Sequence, residues 1–117
     1  MATVAATDLN TQLWAELWVS LASLLRSYTA VHGLNRREQA TIELGEERIT
    51  VRVSERWLQL DRNDAKVVWS RENGTNGVMN LTQNGRLNSD AGEEEMDMQA
   101  EAWARDLMRD QKPEMPR

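Results

Sequence analysis

The sequence contains no cysteine and no phenylalanine, and it has one histidine and one tyrosine among its 117 residues. Without cysteine, the chain can form no disulfides, bind no zinc through thiolates and use no cysteine nucleophile. Because phenylalanine is absent while tryptophan occurs five times, tryptophans must supply the large aromatic anchors. A serine triad would have to use His32, which adjoins the helix-ending Gly33 and there suits the helix dipole better than catalysis. We therefore expect a protein that is not an enzyme and holds no cofactor.

Acidic residues outnumber basic ones, 19 to 14, which leaves a net charge of −5. A general nucleic-acid binder needs a basic surface for phosphate contacts, so this balance argues against that class. Residues 9–31 do not read as a membrane span, because Glu16 and Arg26 interrupt them. Residues 1–8 lack the Lys or Arg that a secretory signal needs. We expect a soluble, cytoplasmic protein with no nucleic-acid or membrane partner.

Period-two alternation of apolar residues predicts an antiparallel sheet in the middle of the chain. Apolar side chains occupy every second position of two runs joined by a turn at residues 45–47, namely Ala40, Ile42 and Leu44, then Ile49, Val51 and Val53. Further strands are expected at residues 57–61, 66–71 and 78–82, with a short sixth strand at 86–88. The tight Asn-Gly turns between the last of these strands favour a meander.

Helical patterns flank the strands. The first helix is expected from residue 7 or 8 to about residue 32, and the second from Ser89 or Asp90 to about Arg109. The chain should therefore form one α+β domain, a two-layer sandwich of an N-terminal helix, a five- to six-stranded antiparallel meander and a C-terminal helix. Both helices are expected on one sheet face, with flexible ends at residues 1–7 and 111–117.

The sheet face away from the helices is the main candidate binding surface. Side chains expected there are Thr41, Glu43, Thr50, Arg52, Trp57 and Gln59. Since Val67, Val68 and Trp69 are apolar in succession, Trp69 either joins Trp57 on this face or points into the core, and both alternatives stay open. In the first case Arg52, Trp57, Trp69 and Arg71 would form a partner-binding surface, because Trp and Arg are typical interface anchors.

The first helix offers a second candidate surface. Its apolar arc spans about 140°, wider than the roughly 100° stripe of a helix that packs on one surface. Trp14 and Trp18 lie at the edge of this arc. They either bind a partner or a second copy of the chain, or they cover the sheet edge and touch the second helix. The second alternative is favoured.

Carboxylates supply an alternative metal site. The densest acidic run is residues 93–97, which includes Glu93, Glu94 and Asp97, and a looser group comprises Glu38, Glu43, Glu46 and Glu47. Carboxylate oxygens bind hard cations, but acidic residues also stabilise the first turn of a helix, which is where the run is expected to lie. The helix explanation is the simpler one.

The element order resembles the frataxin family. The local match is residues 60–70, where a polar turn leads into Val67, Val68 and Trp69, similar to the strand that carries that family's Trp on the open sheet face. The resemblance implies iron handling, docking onto a cluster-assembly complex and a contact by Trp69. The family's acidic ridge on the first helix and strand is mostly missing, so the resemblance supports the fold and the open face rather than iron chemistry.

These observations predict a small non-enzymatic protein-interaction module that binds a protein partner or itself. The alternative is a frataxin-like iron-handling protein.

Overall fold

The computed structural model describes residues 2–109, with side chains described from residue 10 onward. Helix α1 spans Ala2–His32, and helix α2 spans Met96–Met108. α1 thus begins within the segment expected to be flexible, while residues 111–117 lie outside the described part. Neither helix of the described part combines the length and the apolar character needed to cross a membrane.

Seven antiparallel strands lie between the helices, each hydrogen-bonded to the next in sequence order. The strands are β1 (Thr41–Leu44), β2 (Arg48–Val53), β3 (Arg56–Asn63), β4 (Lys66–Arg71), β5 (Asn76–Leu81), β6 (Arg86–Ser89) and β7 (Gly92–Glu95). The predicted α+β order and meander are confirmed, and the sheet has seven strands rather than five or six.

One core joins both helices to one face of the sheet. Leu21 and Leu25 of α1 and Trp103 and Leu107 of α2 are buried together with the inward side chains of the strands. The strands contribute Ile49, Val51, Val53, Leu58, Leu60, Val67, Leu81 and Leu87. The period-two alternation read from the sequence therefore marks the inner face correctly.

The seventh strand corrects the predicted C-terminal helix. Residues 92–95 pair with β6, with Ser89 opposite Gly92 and Arg86 opposite Glu95, so α2 begins only at Met96. Gly92 has φ of +124°, a conformation that L side chains rarely adopt and that glycine adopts readily. Gly92 therefore lets the chain turn back after β6 and continue as β7. The strand forms although its glutamates favour helices over strands.

Candidate functional site

The outer face, defined as the sheet face away from both helices, has a mostly uncharged centre, in which Asp61 lies opposite Val68. Cross-strand partners in an antiparallel sheet point to the same side, so the register assigns each side chain to a face. Val68 lies opposite Val78, and Gln59 lies opposite Ser70. Val68 is 40% exposed and Val78 48% exposed. Trp57, two positions before Gln59 on the same face, is half-buried.

Trp57 is fixed through its backbone. Its N–H donates to Glu72 Oε1 at 3.0 Å, and its carbonyl accepts from Arg71 Nε at 3.1 Å. Arg71 Nε also lies 3.2 Å from Glu72 Oε1, and the Arg71 side chain is only 10% exposed. Arg71 lies opposite the fully buried Leu58, so it is on the inner face, where it supports the Trp57 backbone and is not a free anchor on the outer face, contrary to the prediction.

Glu72 is held in its ionised form by these contacts. Partial burial alone would raise its pKa, but the hydrogen bonds from the Trp57 N–H, the Arg71 guanidinium and its own backbone N–H, with the Arg71 charge, act in the opposite direction. Their sum outweighs burial, and the pKa of Glu72 lies below its ordinary value of 4.5.

Trp69 lies on the opposite face from Trp57. Its cross-strand partner is the fully buried Leu60, and its ring meets that of Trp103 edge to face, with 6.1 Å between centroids. The other cross-strand partner is Gly77, where an added Cβ would lie 2.7 Å from Trp69 Nε1. Of the two alternatives for Trp69, the structure shows the inward one, so a single surface containing both indoles is wrong. The residue match that supported the frataxin resemblance does not place this indole on the open face.

The tryptophans of α1 also pack inward. Trp18 is 2% exposed, donates from Nε1 to the Gly45 carbonyl at 2.9 Å, and lies under the Arg62 guanidinium. Trp14 is half-buried and packs against the core. Trp18 thus covers the sheet edge, as the favoured alternative predicts, while Trp14 is only partly enclosed by the core.

Charges border the outer face on both sides. Arg48 bonds Asp61 at 2.7 Å on β2 and β3, and Arg86 bonds Glu95 at 2.9 Å on β6 and β7. Arg52, opposite Trp57, is exposed and has no ion-pair partner among the described side chains. Two residues expected on the outer face differ in exposure. Thr50 is buried between neighbouring strands, while Thr41 on the edge strand is exposed.

The α1–β1 groove is a second concave surface, which the sequence did not indicate. It encloses about 590 Å³ between α1 and the β1–β2 turn and is lined by Thr11, Ala15, Trp18, Val19, Leu44, Gly45, Glu46, Glu47 and Arg62. Val19 is 51% exposed and Leu44 42% exposed. The alternation places Leu44 on the core face, as its pairing with Ile49 shows, but no pattern in the sequence reveals that its strand ends beyond the cover of the helices.

A larger cleft of about 910 Å³ lies at the other end of the sheet. Its arginines are largely committed to the fold: Arg56 donates to the Leu107 carbonyl at 2.6 Å and to Glu38 at 3.0 Å, and Arg71 is bound to Glu72. Arg109 is paired with Asp106, so three of the five arginines that line the cleft are held by the fold, while Arg36 and Arg37 are exposed and have no ion-pair partner among the described side chains.

The acidic candidates for a metal site are dispersed. Among the described residues, no group of three His, Asp or Glu side chains could hold a metal ion. Glu93 and Glu94 alternate along β7, Asp97 lies in the first turn of α2, and the remaining candidates Glu38, Glu43, Glu46 and Glu47 lie along and beside β1. The helix-terminus explanation holds for Asp97 only, since Glu93 and Glu94 are in a strand.

His32 is the last residue of α1, where the helix-dipole interpretation places it. Its Nε2 lies 2.9 Å from Glu101 Oε2, and Glu101 also bonds Arg105 one turn along α2. The histidine therefore connects the two helices.

Comparison of the chain with models of known protein families, with curated proteins and with solved structures gives no match.

Proposed function

We propose that the protein is a small non-enzymatic interaction module that binds a folded protein partner through the centre of its outer face. The observation that supports this proposal is the mostly uncharged patch formed by Trp57, Val68 and Val78 with Gln59 and Ser70. Asp61 lies opposite Val68 in this patch, but its carboxylate is bonded to Arg48 and Gln59. Interfaces have this composition, with charge depleted in the centre and concentrated at the rim. The expected cytoplasmic location remains part of the proposal.

The chemistry of the partner follows from the unpaired charges. Arg52 beside Trp57 and Lys66 at the far end of the patch are exposed and have no ion-pair partner among the described side chains, although the chain as a whole is acidic. A partner with an apolar centre and carboxylates at both ends would complement them. Trp57 and Arg52 are the residues expected to contribute most, because Trp and Arg dominate binding energy at interfaces.

The test uses paired outer-face variants of the whole chain. Val68→Lys combined with Val78→Lys places two charges in the patch, and Asn88→Lys places one on exposed β6 of the same face as the control. A partner captured by the unmodified chain should bind Asn88→Lys equally and the double variant at least tenfold more weakly. Arg52→Glu should also weaken binding, and the loss of affinity should be larger at low salt than at high salt.

Near-ultraviolet circular dichroism must show that each variant is folded. A partner that binds the folded double variant as tightly as the unmodified chain would refute the proposal. Sedimentation of the chain alone tests whether a second copy of the chain covers the patch instead of a partner. Self-association that the double variant abolishes would show that it does.

A further inference from the structure

Within the described part of the chain, strand β1 is an edge strand that pairs only with β2, so some of its backbone groups have no strand partner. The Gly45 N–H donates to the Arg48 carbonyl at 2.7 Å, so these two residues form a hydrogen-bonded pair. Bonded and non-bonded pairs alternate in an antiparallel ladder, so Thr41 and Glu43 also bond to β2. The N–H and C=O groups of Ile42 and Leu44 therefore point away from β2, toward the open edge.

The two edges of the sheet differ in how they are protected. Edge strands avoid unwanted pairing through charge, proline or bulges. The β7 edge carries three consecutive glutamates, residues 93–95, whereas β1 reads Thr-Ile-Glu-Leu and contains no proline or lysine. β1 carries one charge in four residues and β7 carries three, so β1 is the less protected edge.

The α1–β1 groove adjoins this open edge. On an added strand, the residues paired with Ile42 and Leu44 would point to the helix side, where Val19 and Leu44 are exposed and Trp18 forms the floor. Alternate residues would point to the outer face beside Glu43. The edge therefore offers backbone hydrogen bonds and the groove offers apolar contacts, which is the combination used in recognition by strand addition.

Charge identifies the chemistry of the added strand. The carboxylates of Glu43, Glu46 and Glu47 surround this end of the sheet and have no ion-pair partner among the described side chains. They outnumber the cation that lines the groove, Arg62, which donates to the Glu46 carbonyl and lies over the Trp18 ring. A second copy of β1 would bring further glutamates to the same place, so like charges oppose self-pairing. A basic segment would be attracted instead.

We propose that the edge of β1 and the α1–β1 groove bind an extended, basic segment of a partner protein, which adds an eighth strand with alternate apolar residues in the groove. This site is separate from the outer-face patch, so either one can fail without the other.

The probe is a capped nine-residue peptide of alternating lysine and valine, titrated into the full chain and followed by amide correlation spectra. Saturable shifts should centre on the Ile42 and Leu44 amides and slow their hydrogen exchange. The matched control is the same peptide N-methylated on every valine, which keeps the charge but cannot donate to the β1 carbonyls. Its affinity should be at least tenfold lower.

Two variants separate the backbone from the side chain of Leu44. Leu44→Pro removes an N–H that is not bonded to β2 and should weaken binding tenfold or more, whereas Leu44→Ala keeps the N–H and should weaken it less. Equal binding of the two peptides by the unmodified chain would show attraction by charge alone and would overturn the proposal. So would concentration-dependent protection of the Ile42 and Leu44 amides without peptide, because a second copy would then fill the edge.

Discussion

At the scale of single residues, Glu72 makes the stability of the fold depend on pH. The folded-state pKa of Glu72 lies below the ordinary value of 4.5. At pH values between these two pKa values, the unfolded chain therefore binds more protons than the folded one. The contribution of the Glu72 charge is therefore complete above about pH 5 and is lost as pH falls through the folded pKa.

Replacing Glu72 by Gln tests this dependence. Gln keeps an acceptor for the Trp57 N–H and removes the charge, so unfolding in urea at pH 7 should require up to about 1 kcal/mol less free energy. The difference between the two proteins should shrink toward zero at acidic pH. A difference of the same size at pH 3 and pH 7 would contradict the assignment of the effect to the carboxylate charge.

Gly77 and Trp69 are coupled by contact. A Cβ at residue 77 would lie 2.7 Å from Trp69 Nε1, on a rigid ring that is itself packed against Trp103. Gly77→Ala should therefore destabilise the protein by about 1–3 kcal/mol, as overpacking does. In a Trp69→Ala background the clash is gone, and the same change should be neutral or stabilising by about 0.5 kcal/mol, since alanine suits a strand better than glycine.

A double-mutant cycle of these two changes, measured by chemical denaturation, gives the coupling directly. Equal costs of Gly77→Ala in both backgrounds would mean that the indole does not lie over β5. Trp57→Ala is the comparison for an indole on the open face, and its cost should be well below that of Trp69→Ala.

At the scale of elements, the effect of Gly92→Ala on stability shows whether residues 92–95 form a strand or a helix. In a helix beginning near Ser89, Gly92→Ala would stabilise by about 1 kcal/mol. In the observed β6–β7 turn, φ of +124° makes the same change destabilising by about 1–2 kcal/mol, although the site has open space around it. Gly74→Ala, at φ of +92° and also in open space, should cost a similar amount in the β4–β5 turn.

Hydrogen exchange locates each effect. Gly92→Ala should release the β7 amides and leave those of β3 and β4 protected, while Gly74→Ala should leave β7 unaffected. A stabilising Gly92→Ala would restore the helical interpretation of the acidic run.

The elements that the sequence predicts well are those in which one apolar face repeats without interruption. The alternation in β2 and β3 locates Leu58 and Leu60 inward and Trp57 outward, as observed. The alternation fails at Val67, Val68 and Trp69, because three successive apolar residues do not show which of them point into the core. The pairing of Trp69 with Leu60 decides the matter, and that pairing is a tertiary property.

Residues 92–95 could not be assigned for a related reason. Their glutamates favour a helix, but Gly92 turns the chain and Arg86 bonds Glu95 across the hairpin, so pairing overrides the local preference. The open face was predicted from Trp57, whereas the α1–β1 groove depends on where the helix and β1 end relative to each other.

At the scale of the whole molecule, side chains join the helix layer to the sheet layer at both ends. At one end Trp18 donates to the Gly45 carbonyl, and at the other Arg56 donates to the Leu107 carbonyl of α2. Gly45 and Arg56 flank opposite ends of β2, whose six residues span about 20 Å. The two connections therefore share no partner and act on different ends of one core.

Replacing Trp18 by Phe and Arg56 by Met should cost about 1–3 kcal/mol each, because each change leaves a carbonyl without its donor and alters packing. If both layers unfold as one cooperative unit, the double variant should lose the sum of the two costs within about 0.5 kcal/mol, with an unchanged dependence on denaturant. Glu38→Gln is the control at the Arg56 end, since it removes only the exposed ion pair and should cost a few tenths of a kcal/mol. Separate transitions for helix and sheet signals in the double variant would show instead that these connections are what couples the layers.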